Sequence, residues 1–391
     1  MPAQAPLANV ARANAALAAL WRRGLLQRPI LTAGALEAAA LRGARPDSFG
    51  PGEEWREPFE RLVAALASEA DLNPLGEAMA WGQIVNALRA RIRAERLWRA
   101  RPEILERPVP APIVILGQMR SGTTRLQRLL ACDPRLAHTR LDESLIPVPR
   151  RGRRLSAWAG LAMLRRLNPE LARIHPTAAA APEEEFGLFS FAFGSAQFEA
   201  QWHVPGFVRW WEGADARPLY REFRALLQTN AWARGDPPGK PAILKAPQFL
   251  QDLPVLLETF PDARLVLIER DPARVVASSA SLVWNQMRIQ SDGADKRRIG
   301  REWLRKTRLR RRLGEASLPA SCLRLGFEAI DRDWRGEIER LYDFLGLELE
   351  LALLGRMARY LASATGHRGH RYSLAEFGLR PEELADLSAP A

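Results

Sequence analysis

One segment restricts what this chain can fold into more than any other: Pro112-Ile-Val-Ile-Leu-Gly-Gln-Met-Arg-Ser-Gly-Thr-Thr-Arg-Leu-Gln-Arg-Leu-Leu130. Ile113 to Leu116 form a short apolar run that reads as a buried strand. It breaks at Gly117, and Leu126, Leu129 and Leu130 then recur at helical spacing. A strand that passes through a glycine-bearing loop into a hydroxyl-rich helix start makes a phosphate cradle. Free N–H groups at the helix N-terminus point at an anion, and the helix dipole favours it. The spacing Gly117-x4-Gly122 matches the nucleotide-triphosphate loop, but Thr123 stands where that loop needs its lysine. Without a lysine to reach β- and γ-phosphates, the loop suits a terminal phosphate monoester that needs no metal. Arg120 supplies the positive charge from inside the loop.

Patterning elsewhere extends this strand and helix into a layered α/β fold. Further strands are expected at 242–246, 264–269 and 321–327, with helices at 249–260, 272–283 and 335–345 between them. That alternation makes a parallel sheet with helices on its faces. Ahead of it, residues 55–70 and 76–100 read as amphipathic helices, with Ile84, Leu88, Ile92 and Leu97 on the apolar face of the second. Pro102, Pro108, Pro110 and Pro112 then form a stiff lead-in. The expected division is a helical region, 1–107, and an α/β domain, 108–391, carrying a helical insertion at about 151–235. The many Trp and Phe of that insertion suggest an acceptor-binding wall, or a core.

The net charge of +12 points to anionic ligands, but nearly all of the cation content is arginine; lysine occurs only at 240, 245, 296 and 306. A GC-rich genome writes such a bias without functional demand. The run Lys306-Thr-Arg-Leu-Arg-Arg-Arg312 therefore reads as a solvated helix face. No aromatic residues alternate with it, as a nucleic-acid stacking platform would require. Lys245 gains weight from the same bias, because a lysine at a strand end in such a chain implies a need for a compact point charge. Cys132 and Cys322 lie far apart and metal-ligand spacing is absent, so neither a disulfide framework nor a metal is expected. Residues 2–20 lack the pattern of a leader and no run has the length of a membrane span, so the cytoplasm is the expected location.

Arg120-Ser121-Gly122-Thr123-Thr124 resembles the 5′-phosphosulfate loop of the sulfotransferase superfamily, with Met119 in place of the usual proline. Ala242-Ile-Leu-Lys-Ala-Pro-Gln248, and Arg270 followed eight residues later by Ser278, resemble the family's second conserved strand and its 3′-phosphate region. With Glu183-Glu184-Glu185 and His370-Arg-Tyr-Ser-Leu, the likeness spans roughly residues 50–380 and points to the bacterial branch. It implies a sulfotransferase fold and transfer of a sulfuryl group from 3′-phosphoadenosine-5′-phosphosulfate (PAPS). The acceptor would be a hydroxyl or amine of a small molecule, lipid or glycan. Two rival readings are a non-catalytic nucleotide-binding member and a P-loop kinase.

The resemblance also implies roles. Arg120, Ser121, Gly122, Thr123 and Thr124 would hold the 5′-phosphate, and Arg270 and Ser278 the 3′-phosphate. Arg125 stands where relatives stack an aromatic on adenine; a plain surface arginine is the competing reading. Arg120 and Lys245 would neutralise charge on the departing oxygen. Glu143 matches a position where some relatives carry a general base, with a helix-capping carboxylate as the alternative. His175 is the second candidate, from its intrinsic pKa. Relatives carry a histidine where Phe249 stands, which removes one base. The acidic run Glu183-Glu184-Glu185 could present one inward-facing carboxylate as a further base, although most such runs are solvated faces. Phe327 would face adenine or simply pack, and Arg368, Gly369 or Arg371 would close over the 3′-phosphate.

Overall fold

The computed structural model describes residues 7–43, 45–50, 52–174, 176–363 and 372–388. The apolar run after Pro112 becomes β1 (Ile113–Gly117), with all five of its residues buried. Four parallel partners complete the sheet: β2 (Ala137–His138), β3 (Ala242–Lys245), β4 (Arg264–Glu269) and β5 (Leu323–Gly326), in the order β2-β3-β1-β4-β5. Ile113 lies opposite both Ile243 of β3 and Arg264 of β4. Strand order reverses about β1, since β2 and β3 lie on one side and β4 and β5 on the other. Loops leaving the C-terminal ends of β1, β3 and β4 therefore open into one crevice, the usual place for a ligand in such a sheet.

Side chains alternate between the two faces of the sheet. Ile113, Ile115, Ile243 and Val266 pack under α5 (Thr123–Leu130) and the late helices. Val114, Leu116, Leu244 and Leu265 pack against aromatic side chains of the insertion. A parallel sheet covered on both faces explains why β1 reads as an unbroken apolar run. The N-terminal helices are α1 (Ala8–Arg22), α2 (Ala33–Ala40), α3 (Arg56–Ser68) and α4 (Pro74–Ala100). After α5, the connection to β3 holds α6 (Leu141–Leu145), α7 (Arg153–Leu167), α8 (Pro169–Ile174), α9 (Phe186–Ser190), α10 (Ala196–Gln201), α11 (Pro205–Trp211) and α12 (Arg217–Arg234). Later come α13 (Leu253–Thr259), α14 (Pro272–Gln290), α15 (Lys296–Ser317), α16 (Phe327–Arg332), α17 (Trp334–Leu345) and α18 (Leu351–Ser363). Residues 36–92 and 193–211 share one apolar cluster, so the N-terminal helices and the insertion are packed together.

Two expectations need correction. The basic run 306–312 is not a solvated face: Lys306 and Arg310 of α15 are buried, paired with Glu199 and Glu212. The insertion aromatics are core rather than an exposed wall. Phe189 stacks on Phe223 with ring centroids 4.4 Å apart and meets Phe249 edge-on, all three fully buried. Phe249 thus fills the sheet-facing core.

Candidate active site

The loop between β1 and α5 is held by its own carbonyls. Gln118 O accepts from the backbone N–H of Ser121 (3.1 Å) and from its hydroxyl (2.8 Å). Met119 O accepts from Ser279 Oγ at 2.9 Å, and Arg120 O from Arg270 Nη1 at 2.7 Å. Arg120 adopts a left-handed backbone at φ +71°, which costs a non-glycine residue energy that these bonds offset. Gly122 has φ +101°, and a Cβ there would sit 2.4 Å from the Phe327 ring, so only glycine fits. With the carbonyls tied back, the N–H groups of Thr123 and Thr124 at the start of α5 are the ones left for an anion, since those of Arg125 and Leu126 donate to Gly122 O.

Two guanidinium groups flank this cradle. Arg120 donates from Nε to Ser278 Oγ at 3.1 Å and from Nη1 to Ile174 O at 3.3 Å. Arg270 lies over the Phe327 ring, 4.0 Å from its centroid, and its Nε is buried without a partner. Burial lowers the Arg120 pKa and the nearby Arg270 charge lowers it further, against Glu184 and Tyr372. Two half-buried like charges, one with a buried unpartnered N–H, are the signature of a site that expects an anion. A cavity of about 540 Å³ opens beside them, lined by Gln118, Ser121, Arg270, Val275 and Thr307 among others.

Across the loop, Lys245 ends β3 with its side chain 1% exposed. Its ammonium donates to Thr124 Oγ1 at 3.1 Å and pairs with Glu184 Oε1. Its backbone N–H donates to Glu185 Oε2 at 2.7 Å. Burial pushes the Glu185 carboxyl up to about 8, against that N–H and the Thr139 hydroxyl. Glu183 accepts from Thr177 Oγ1 (2.9 Å), and its carbonyl from Gln127 Nε2 of α5 (2.9 Å). The acidic run is thus folded inward along α5 and β3 rather than set on a solvated face. Close approach fixes it there, since a Cβ on Gly187 would lie 1.5 Å from Ser144 O.

The remaining candidates scatter. Glu143 is fully buried and closes the capping box of α6 by accepting from Arg140 N (3.0 Å). Its oxygens also face Arg234 (2.8 Å) and Arg153 (3.4 Å), and none of these partners belongs to the phosphate loop. Arg125 forms a partly exposed pair with Asp331 at 2.7 Å, next to the helix that Phe327 begins. His175 and residues 368–371 lie outside the described residues. Sequence reasoning passed over Ser279, and it undervalued Glu184. The available signal was the position of that run between Pro182 and the apolar stretch from Phe186, which leaves it little room to face water.

Residues 112–350 match the family described as the Sulfotransferase family. The chain belongs to the sulfotransferase family. Among curated relatives, the omega-hydroxy-beta-dihydromenaquinone-9 sulfotransferase Stf3 of Mycobacterium bovis is 28% identical over 286 residues, covering 67% of this chain and 70% of that protein. The crystal structure of sulfotransferase STF1 from Mycobacterium tuberculosis superposes with a TM-score of 0.76 at 26% identity, covering 92% of this chain and all of that one. STF9 from Mycobacterium avium shares the fold, with a TM-score of 0.78 at 23% identity over 92% of this chain and 96% of its own. The sulfotransferase fold expected from the motifs is the fold found. No described helix is long and apolar enough to cross a membrane.

Proposed function

We propose that this sulfotransferase uses PAPS as donor and delivers the sulfuryl group to a hydroxyl carried on a lipid. The observation that carries the donor reading is the arrangement around the loop: Arg120, Ser278 and Arg270 on one flank, Thr124, Lys245 and Glu184 on the other. The donor supplies an activated sulfur whose bond to the phosphate oxygen breaks as the acceptor oxygen attacks. The N–H groups of Gly122, Thr123 and Thr124 and the threonine hydroxyls hold the 5′-phosphate, on a loop that Ser121 closes against Gln118 O. Arg270 and Ser278 take the 3′-phosphate, for which the unpartnered Nε of Arg270 is a ready donor. Arg120 and Lys245 neutralise charge on the departing oxygen.

A base must accept the acceptor's proton. Glu143 is the candidate that motif position favours, but its oxygens already face a backbone N–H and two arginines. Its pairing with Lys245, whose ammonium also donates to Thr124 of the loop, favours Glu184, which is 15% exposed on its side chain. An anion that draws Lys245 away leaves that carboxylate free to take a proton. The lipid class of the acceptor is supported by the relative named for a hydroxylated dihydromenaquinone.

Calorimetry with adenosine 3′,5′-bisphosphate, AMP and ATP·Mg²⁺ tests the donor. The bisphosphate should bind without metal and far more tightly than AMP; equal affinities, or preference for ATP·Mg²⁺, would overturn the reading. Assays with PAPS and hydroxylated isoprenoid acceptors then test transfer.

A further inference from the structure

We propose that α7 is a membrane-docking helix, which seats the protein on an anionic lipid bilayer beside its active site. The proposal stands on the surface of the molecule; only the use given to the docking rests on the lipid acceptor proposed above.

The 15 residues of α7 are apolar on two sides. Inward, Ala157 and Leu167 are buried, and Leu161 and Leu164 half-buried, which satisfies its packing on the rest of the chain. Outward, Leu155, Trp158 and Met163 are 68%, 60% and 52% exposed, with Ala159 and Ala162 exposed between them. Positions 155, 158, 159, 162 and 163 share one helical face, so the exposure forms a continuous stripe. Leu145, which ends the neighbouring α6, is 49% exposed. A folded protein facing only water has no reason to set such a stripe on its surface.

The charges around the stripe identify what covers it. Arginines stand at 150, 151, 153, 154, 165 and 166, and no acidic residue occurs from 144 to 169. They flank both ends of the stripe, and Arg151, Arg154, Arg165 and Arg166 are exposed. A second copy of the chain packed antiparallel on this face would set arginines against arginines, with no carboxylate on the helix to relieve them. Anionic headgroups meet both demands. The apolar stripe enters the headgroup–acyl boundary, tryptophan takes its preferred interfacial place, and the arginines pair with lipid phosphates.

The position of the helix gives the docking a use. Its continuation through α8 ends on the phosphate loop, where Ile174 O accepts from Arg120 and Pro176 O from Arg128 of α5. A bilayer under α7 therefore lies at the edge of the site, where an acceptor dissolved in lipid arrives.

Co-sedimentation of the full chain with vesicles tests this. Vesicles of phosphatidylcholine mixed with phosphatidylglycerol should bind the protein roughly tenfold or more tightly than phosphatidylcholine alone, less so as salt is raised. The double variant Trp158→Asp/Met163→Asp should lose roughly tenfold or more of that binding while its thermal shift with adenosine 3′,5′-bisphosphate stays unchanged. Arg151→Gln/Arg166→Gln should weaken binding to the anionic vesicles only. The proposal is overturned if the wild-type chain ignores anionic vesicles or if Trp158→Asp/Met163→Asp binds them as well as wild type. A concentration-dependent dimer that the double variant abolishes, without vesicle binding, would assign the face to self-association instead.

Discussion

Lys245 and Lys306 are two of only four lysines in the chain, and both side chains are 1% exposed. Lys306 sits in a network closed on every side: Glu199 and Glu212 each lie 2.6 Å away, Arg310 and Arg305 complete the pairs, and the Trp211 ring lies beside it. Lys245 has one carboxylate for its ammonium, the partly exposed Glu184, and a loop hydroxyl at 3.1 Å. It also stands at the C-terminal edge of the sheet, where β1 and β3 end beside the loop. Burial of a cation therefore does not by itself mark a functional site. What separates the two is whether the charge is fully paired inside the fold or left able to meet an anion from outside.

The difference can be broken experimentally, and the largest effect should come from the carboxylate beside Lys245. Glu184→Gln should cut turnover about 10²–10⁴-fold with donor binding retained, as loss of a general base does. Glu143→Gln should leave turnover per folded molecule close to wild type while lowering the melting temperature. If the two variants exchange behaviour in steady-state assays, the base is Glu143 and the contacts of Glu184 are structural. Next, Lys245→Met should reduce turnover by about 10²–10³-fold, as removal of a charge-stabilising donor does. Lys306→Met should do the reverse: a loss of about 3 kcal/mol in denaturant unfolding, because buried Glu199 and half-buried Glu212 lose a partner, with turnover of the folded fraction kept. Equal turnover losses in both lysine variants would erase the contrast. Arg270→Ala should weaken adenosine 3′,5′-bisphosphate by about 1.5–3 kcal/mol in calorimetry and leave AMP nearly unaffected.

The smallest effect is in pH dependence. Burial holds Glu185 protonated up to about 8, well above an unfolded carboxyl, and Asp252 and Glu222 up to about 7. From the ordinary carboxyl range up to about pH 7 the folded chain holds all three protons that the unfolded chain has released, and from about 7 to 8 that of Glu185 alone, so stability falls as pH rises until each group ionises. Glu185→Gln should flatten that slope in melting curves across this window. The same slope in the variant would show that Glu185 is ionised in the fold.

Much of the sheet was legible because parallel strands are apolar on both faces. The strands expected at 242–246 and 264–269 form at Ala242–Lys245 and Arg264–Glu269, and the helix expected at 335–345 forms at Trp334–Leu345. β2 escaped because two residues, Ala137 and His138, carry no period. The phosphate loop was legible for a different reason. Its job is done by backbone, and a backbone that must turn left-handed at Gly122 and start a helix at Thr123 leaves a local imprint in residue types.

By itself, then, the sequence determined the elements whose physics is local: the β1 strand, the glycine turn, the helix start at Thr123 and the sulfotransferase family they belong to. Only the tertiary structure decided which charges meet. Glu143 and Glu184 look alike in sequence, as do Lys245 and Lys306. The insertion aromatics read as an acceptor wall or as core, and only the sheet packed on them makes them core. The physical reason is that a side chain's role follows from what lies within a few ångströms of its end. For these residues those neighbours come from distant segments: Lys245 reaches Glu184 across 61 positions, and Glu199 reaches Arg310 across 111.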